Sequence, residues 1–130
     1  MKQRILVVED QEDNRRIMRD LLVSAGYEVI EAASGSAGVD MAASAKPDLI
    51  LMDLQLPLID GLEATRRIRA APASSDTPVI AVTSYALSGD NEKALAAGCN
   101  AYFSKPVSPR RLLAKIEAVL PKPDGEGDGK

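Results

Sequence analysis

Five short apolar runs punctuate this chain, and a helical pattern follows each of them. The runs are "RILVV" (Arg4 to Val8), "YEVIEA" (Tyr27 to Ala32), "LILM" (Leu49 to Met52), "PVIAV" (Pro78 to Val82) and the weaker "AYF" (Ala101 to Phe103). The first, third and fourth are almost unbroken aliphatic, as strands buried on both faces of a parallel sheet are. The second alternates, carrying Glu28 and Glu31, and reads as an edge strand. Parallel neighbours need a crossover between them, usually a helix. The repeat therefore predicts an α/β fold, a doubly wound five-stranded parallel sheet with helices on both faces.

The helices carry their own punctuation. Ile17, Met18, Leu21, Leu22 and Ala25 form a helical stripe, and Gly26 suits a left-handed cap after it. Ser34 or Gly35 opens an alanine-rich second helix that stops before Pro47. Asp60 with Glu63 has the pattern of a capping box for a third helix through Ile68. A fourth helix is expected from Asp90 to Ala97, closed by Gly98. Ser108 followed by Pro109 marks the start of a fifth, whose apolar face is Leu112, Leu113, Ile116, Val119 and Leu120. Beyond Leu120 the residues are charged, glycine or proline. One domain over residues 1–120 and a disordered acidic, glycine-rich tail over 121–130 are expected.

Composition narrows the chemistry. The 130 residues suit one core, and 45% are hydrophobic but only 3% aromatic, so aliphatic side chains must fill it. The net charge of −3 comes without a basic stripe, which argues against nucleic acid. Arg66, Arg67 and Arg69 read as a solvated helix face. With Cys99 as the one cysteine and no histidine, zinc sites, Cys–His pairs and Ser–His triads are excluded. A lone cysteine fits a reducing cytoplasm. No apolar run is long enough to span a membrane.

Ligands of doubly wound sheets sit beyond the carboxyl ends of the strands. Glu9 and Asp10 follow the first strand, Asp53 the third, Thr83 and Ser84 the fourth, and Lys105 the fifth. Only alanines follow the second. Taken singly, each has an ordinary explanation as a cap, a turn or a rim residue. Jointly they describe one chemistry. Three carboxylates repel one another and suit a hard divalent cation such as Mg²⁺. Lysine and hydroxyl add donors for an incoming anion, for which a phosphoryl group is the natural candidate, with an Asp carboxylate as nucleophile.

"ILVVEDQEDNR", "DLILMDLQLPLIDGLE", "PVIAVTSYAL" and "GCNAYFSKPVS", with the last helix, resemble the receiver domain of two-component response regulators over about residues 3 to 120. The pattern is most similar to single-domain regulators of the cell-division type and to receivers of hybrid kinases. The resemblance implies a flavodoxin-like strand order 2-1-3-4-5. It implies that Asp53 accepts a phosphoryl group, that Asp10, Asp53 and the backbone carbonyl of Gln55 hold Mg²⁺, and that Glu9 orients a metal-bound water. It implies that Lys105 pairs with Asp53 at rest, that the Lys105–Pro106 bond is cis, and that Thr83 and Tyr102 form a switch acting on the face of the fourth helix, fifth strand and fifth helix. The donor expected is a histidine kinase or histidine phosphotransfer protein, docking near Asn14 and Ile17, with Tyr102 contacting an unidentified downstream protein. Ile17 equally fits the apolar stripe as core.

The resemblance implies that Gln55 and Tyr85 flank the path of an attacking water, where they either slow hydrolysis or are ordinary surface residues. Ser84 is small enough to leave Asp53 accessible, and Gly61 starts the third helix close to the rim. No output domain follows the fifth helix, so a stand-alone cytoplasmic signalling protein is expected, monomeric or weakly dimeric, and not an enzyme beyond its own phosphoryl transfer and dephosphorylation. A Mg²⁺-dependent aspartyl-phosphate phosphatase of the haloacid-dehalogenase type would place its nucleophile after the first strand, with a second Asp two residues on. A flavodoxin-like cofactor protein would need a Ser/Thr/Gly phosphate loop where "EDQEDN" stands. A non-phosphorylated interaction module would have no need of the intact acid set.

Overall fold

The computed structural model describes residues 2–84 and 90–120. Tyr85 and the tail expected over 121–130 lie outside the described residues. The elements run β1 (Arg4–Val8), α1 (Glu12–Ser24), β2 (Glu28–Ala32), α2 (Gly35–Ser44), β3 (Leu49–Asp53), α3 (Gly61–Ala70), β4 (Val79–Thr83), α4 (Asp90–Ala97), β5 (Ala101–Ser104) and α5 (Pro109–Val119). All strand pairs are parallel, in the order β2-β1-β3-β4-β5. The expected topology, with β2 at an edge, is what forms.

Two core layers explain the unbroken aliphatic strands. Successive side chains of a strand point to opposite faces. Leu6, Val8, Ile50, Met52 and Ala81 pack on the α2–α3–α4 side with Ala64, Ile68 and Ala94. Ile5, Val7, Leu49, Leu51 and Ile80 pack on the α1–α5 side with Leu22, Leu112 and Ile116. Each of the larger side chains contributes about 1.5–3 kcal/mol by leaving water.

The helix signals hold with two exceptions. Ser34 accepts a bond from the Ala37 amide at 3.1 Å, and Ser108 caps α5, with proline in its first turn. Gly26 and Gly98 follow α1 and α4 with φ of +100° and +113°. The capping box of α3 is only half formed. Asp60 Oδ1 accepts from the Glu63 amide at 2.9 Å, but the Glu63 carboxylate turns outward to Arg66 and Arg67. The stripe of α1 is also narrower than the periodicity implies: Leu22 is buried, while Ile17 is 65% exposed.

The arginine cluster on α3 divides. Arg66 and Arg67 are exposed, as a solvated face requires. Arg69 is not part of that face. Its guanidinium donates to the carbonyls of Gly98, Ser75 and Thr77 and to Asn100 Oδ1. The difference is one of angle, since Arg69 lies on the flank of α3 that meets the turn between α4 and β5.

The ends of β3 and β4 are displaced by one residue from the apolar runs. β3 extends to Asp53 and β4 to Thr83, so both polar residues close their strands instead of following them. The ladder explains this, because the amide of Leu54 still donates to Val82 O at 3.0 Å.

Candidate functional site

Every strand but β2, which ends at Ala32 with Ala33 after it, delivers a polar residue to the same edge of the sheet. Glu9, just past β1, is held by every polar group it has. Its amide donates to Ala32 O at 3.0 Å, and its carboxylate accepts from the Gln11 amide at 3.1 Å and from Lys105 Nζ at 2.8 Å. Asp53 sits on the central strand, and its Oδ1 accepts from the Gln55 amide at 2.9 Å. Lys105 is hooked to the sheet by its own amide, which donates to Thr83 O at 2.7 Å, and it precedes a cis proline. Thr83 is buried at the end of β4, beside Asp53.

Lys105 favours Glu9 over Asp53. Its Nζ stands 2.8 Å from Glu9 and 3.5 Å from Asp53. Pairing with Asp53 is thus the longer of two contacts. The electrostatics follow this asymmetry. Burial opposes the charge on Glu9, but the bonds from Lys105 and the Gln11 amide outweigh it and hold its pKa below the ordinary glutamate range. Burial likewise opposes the Lys105 charge, and the Glu9 and Asp53 carboxylates raise its pKa in spite of that. Asp53 has the weaker cation contact. Desolvation, with Glu9 beside it, pushes its pKa up to about 6 despite the Gln55 amide.

Oxygen atoms of Glu9, Asp10 and Asp53 lie within 4.8 Å of one another. Three acids face one ammonium, and two of the acids are buried. That donor set fits a hard divalent cation with oxygen ligands, Mg²⁺ above all. Glu9, Asp10 and Asp53 are the residues that could hold it, with the Gln55 backbone next to them.

A close backbone approach builds the floor. A Cβ on Gly61 would stand 2.7 Å from Leu54 Cα and press against the Asp53 carbonyl. Only glycine lets α3 start that near the rim. On the solvent side the Ser84 hydroxyl donates to Gln55 Oε1, so these two exposed side chains meet.

A cleft of about 490 Å³ opens beside Asp53 and Lys105 and runs between α1 and α5. Asn14, Ile17, Met18, Leu21, Pro106 and Leu112 are among its walls. The exposure of Ile17 there excludes its reading as core. Tyr102 does not share this cleft. It lies on β5 opposite Ala81, half-buried against the α2–α3–α4 side of the sheet. The periodicity of the sequence signals neither the cleft nor the role of Arg69, because that arginine acts on groups of other elements.

Fold and site together define the class. The chain belongs to the response regulator receiver domain family, whose sequence model matches residues 5–117. The polar-differentiation response regulator DivK of Brucella ovis is 43% identical over 120 residues, covering 92% of this chain and 98% of DivK. Among solved structures, the receiver domain of a sensor histidine kinase from Pseudomonas aeruginosa is 41% identical with a TM-score of 0.84, covering 91% of this chain and 97% of that one. That receiver is described with a magnesium ion coordinated in its active-site cleft. The chemotaxis protein CheY4 of Vibrio cholerae superposes with a TM-score of 0.86 at 28% identity, covering 92% of this chain and all of its own (100%). Receiver domains are signalling proteins and not classical enzymes. Among the described residues no helix is long and apolar enough to cross a membrane.

Proposed function

We propose that this chain is a single-domain response regulator, with residues 1–120 as its receiver domain, which takes a phosphoryl group on Asp53 from a histidine kinase or histidine phosphotransfer protein. The observation that carries this reading is the convergence of Asp53, Glu9, Asp10 and Lys105 at one sheet edge. An Asp53 oxygen attacks phosphorus in line, the bond from phosphorus to the donor's imidazole nitrogen breaks, and the nitrogen keeps the electron pair. Asp10, Asp53 and the Gln55 carbonyl would hold Mg²⁺, and Glu9 would orient one of its waters. When bound, the ion neutralises charge on the transferring group. Lys105 and the Thr83 hydroxyl serve the same oxygens from the other side. The aspartyl phosphate is lost by hydrolysis within the same site, and this step and the transfer itself are the only catalysis we assign. Gln55, two residues after Asp53, flanks the approach of that water, and the small Ser84 leaves Asp53 accessible to it.

Docking of the donor is assigned to the α1 side of the cleft, at Asn14 and Ile17, where a large apolar side chain stands 65% exposed beside the acceptor. Output is assigned to the α4–β5–α5 face. Phosphorylation adds charge and acceptor oxygens at Asp53, Thr83 moves toward them, and Tyr102 on the adjacent strand follows. A downstream protein reads that change, or the phosphoryl group passes on as a phosphorelay intermediate. The lone cysteine, Cys99, fits a cytoplasmic protein, which we take to be monomeric or weakly dimeric and to work on other proteins, not on nucleic acid or membrane.

Incubation with acetyl phosphate, or with beryllofluoride, and Mg²⁺ tests this. Wild type should incorporate one equivalent and Asp53→Asn none. Labelling of the Asp53→Asn protein would displace the acceptor assignment. Turnover of many equivalents of a small phosphate ester would replace the signalling reading with an enzymatic one.

A further inference from the structure

We infer that Arg15 is a positioning residue for the acid pair, pinning the peptide between Glu9 and Asp10 so that their carboxylates stand where the divalent site requires them. The inference rests on reading Glu9, Asp10 and Asp53 as that site. Three residues, Glu9 to Gln11, join β1 to α1. Glu9 is fixed at both its amide and its carboxylate. Asp10 differs: among the described residues no hydrogen bond or ion pair holds its side chain. Its carboxylate goes where its backbone sends it. With Glu9 and Asp53 close by, repulsion drives it outward.

Besides the bonds of the Glu9 and Gln11 amides, the Arg15 guanidinium restrains this backbone from outside the loop. Its Nη1 donates to the Glu9 carbonyl at 2.9 Å, the oxygen of the peptide that leads into Asp10. Its Nε donates to Glu31 Oε1 at 3.0 Å. Glu31 is the penultimate residue of the edge strand, paired in register with Val7, and its other oxygen accepts from Arg19, one turn along α1, at 3.2 Å. One planar fork thus ties the exit of β1 to the neighbouring strand. The side chains of Arg15 and Glu31 are 18% and 28% exposed, so the pair is shielded enough to hold its geometry.

Glu31 also offsets the Arg15 charge. The net field at Asp53 is therefore small, and the role is one of geometry. Lysine keeps the charge but lacks the fork that reaches both acceptors. This separates position from electrostatics experimentally.

Mg²⁺ affinity is measured by calorimetric titration of the full chain, well below each variant's melting temperature, for wild type, Arg15→Lys, Arg15→Met and Arg16→Met. Arg16 is exposed, pairs with Asp13 and serves as control. Exchange of the Asp10 and Gln11 amides is followed without metal. We expect Arg15→Lys and Arg15→Met to weaken Mg²⁺ by a similar factor, on the order of ten-fold, as loss of a ligand-orienting partner does. Both should speed exchange at Asp10 and Gln11, and Arg16→Met should change neither. Full affinity in folded Arg15→Met overturns the inference, as does full rescue by lysine, which would make the effect one of charge. If wild type itself fails to bind Mg²⁺, the divalent-site reading fails. The amide exchange then decides for Arg15, and unchanged exchange overturns it.

Discussion

At the scale of single residues, Asp53 is costly to ionise where it stands. Its folded pKa of about 6 lies above the ordinary value of 3.8, chiefly through burial. A carboxyl raised in this way binds more protons folded than unfolded between those values. It therefore costs stability as pH rises from about 4 through 6. Glu9 and Lys105, which face it, take up most of each other's charge, and Asp10 adds a further acid. We expect metal-free wild type to lose melting temperature relative to Asp53→Asn across that range, on the order of 5 °C. Mg²⁺ should reverse the loss above pH 6 and bind progressively worse below it, because the ligand must be deprotonated. Melting curves with and without Mg²⁺ at pH 4.5 and 7.5 measure both. A wild type that gains on Asp53→Asn with rising pH, metal-free, would contradict the sign. Gly61 gives a second expectation. Gly61→Ala forces a methyl onto Leu54 and the Asp53 carbonyl, and should cost about 1–3 kcal/mol in urea unfolding while weakening Mg²⁺.

At the scale of elements, α3 shows how one helix serves two ends of the sheet. Its first turn supports Asp53, and its last turn carries Arg69, which gathers the loop leading into β4 and the turn leading into β5. Asn100 completes the junction by accepting from Arg69 and from the Val79 amide through the same Oδ1. Desolvation holds the Arg69 pKa below its usual value, yet the surrounding carbonyls give the charge several acceptors. Arg69→Met should lower unfolding stability by about 1–3 kcal/mol and leave Mg²⁺ affinity unchanged. A parallel loss of Mg²⁺ binding would mean that the two ends of α3 are not independent. Gly98 belongs to the same junction, since its φ is +113° and a Cβ there would meet Arg69 Cγ at 2.7 Å.

At the scale of the molecule, the parallel sheet puts every strand's carboxyl end on one rim and separates the two helical layers behind it. The proposed donor site, at Asn14 and Ile17, lies on the α1–α5 side. The proposed switch residue Tyr102 lies on the α2–α3–α4 side. A signal between them must cross the sheet, and Thr83 on β4, next to both Asp53 and β5, is where it would cross. Thr83→Ala should accept beryllofluoride at Asp53 but lose the change in Tyr102 ring resonances that wild type shows by NMR. An equal Tyr102 response in both proteins would remove Thr83 from the switch.

The sequence by itself determined the five-unit repeat, the edge position of β2, most helix ends and the set of polar residues at the rim. Those features depend on periodicity and on hydrogen bonds between residues at most a few positions apart. Parallel topology then sends all strand ends the same way, whatever the details. Only the tertiary structure decided which partner each polar group takes. Lys105 chooses Glu9, 96 residues away, over Asp53 by 0.7 Å, the difference between 3.5 Å and 2.8 Å. Arg69 leaves the solvated face of α3, Ile17 leaves the core, and Arg15 reaches from α1 to the Glu9 carbonyl. Such choices turn on how separate elements pack against one another, and no local pattern encodes them.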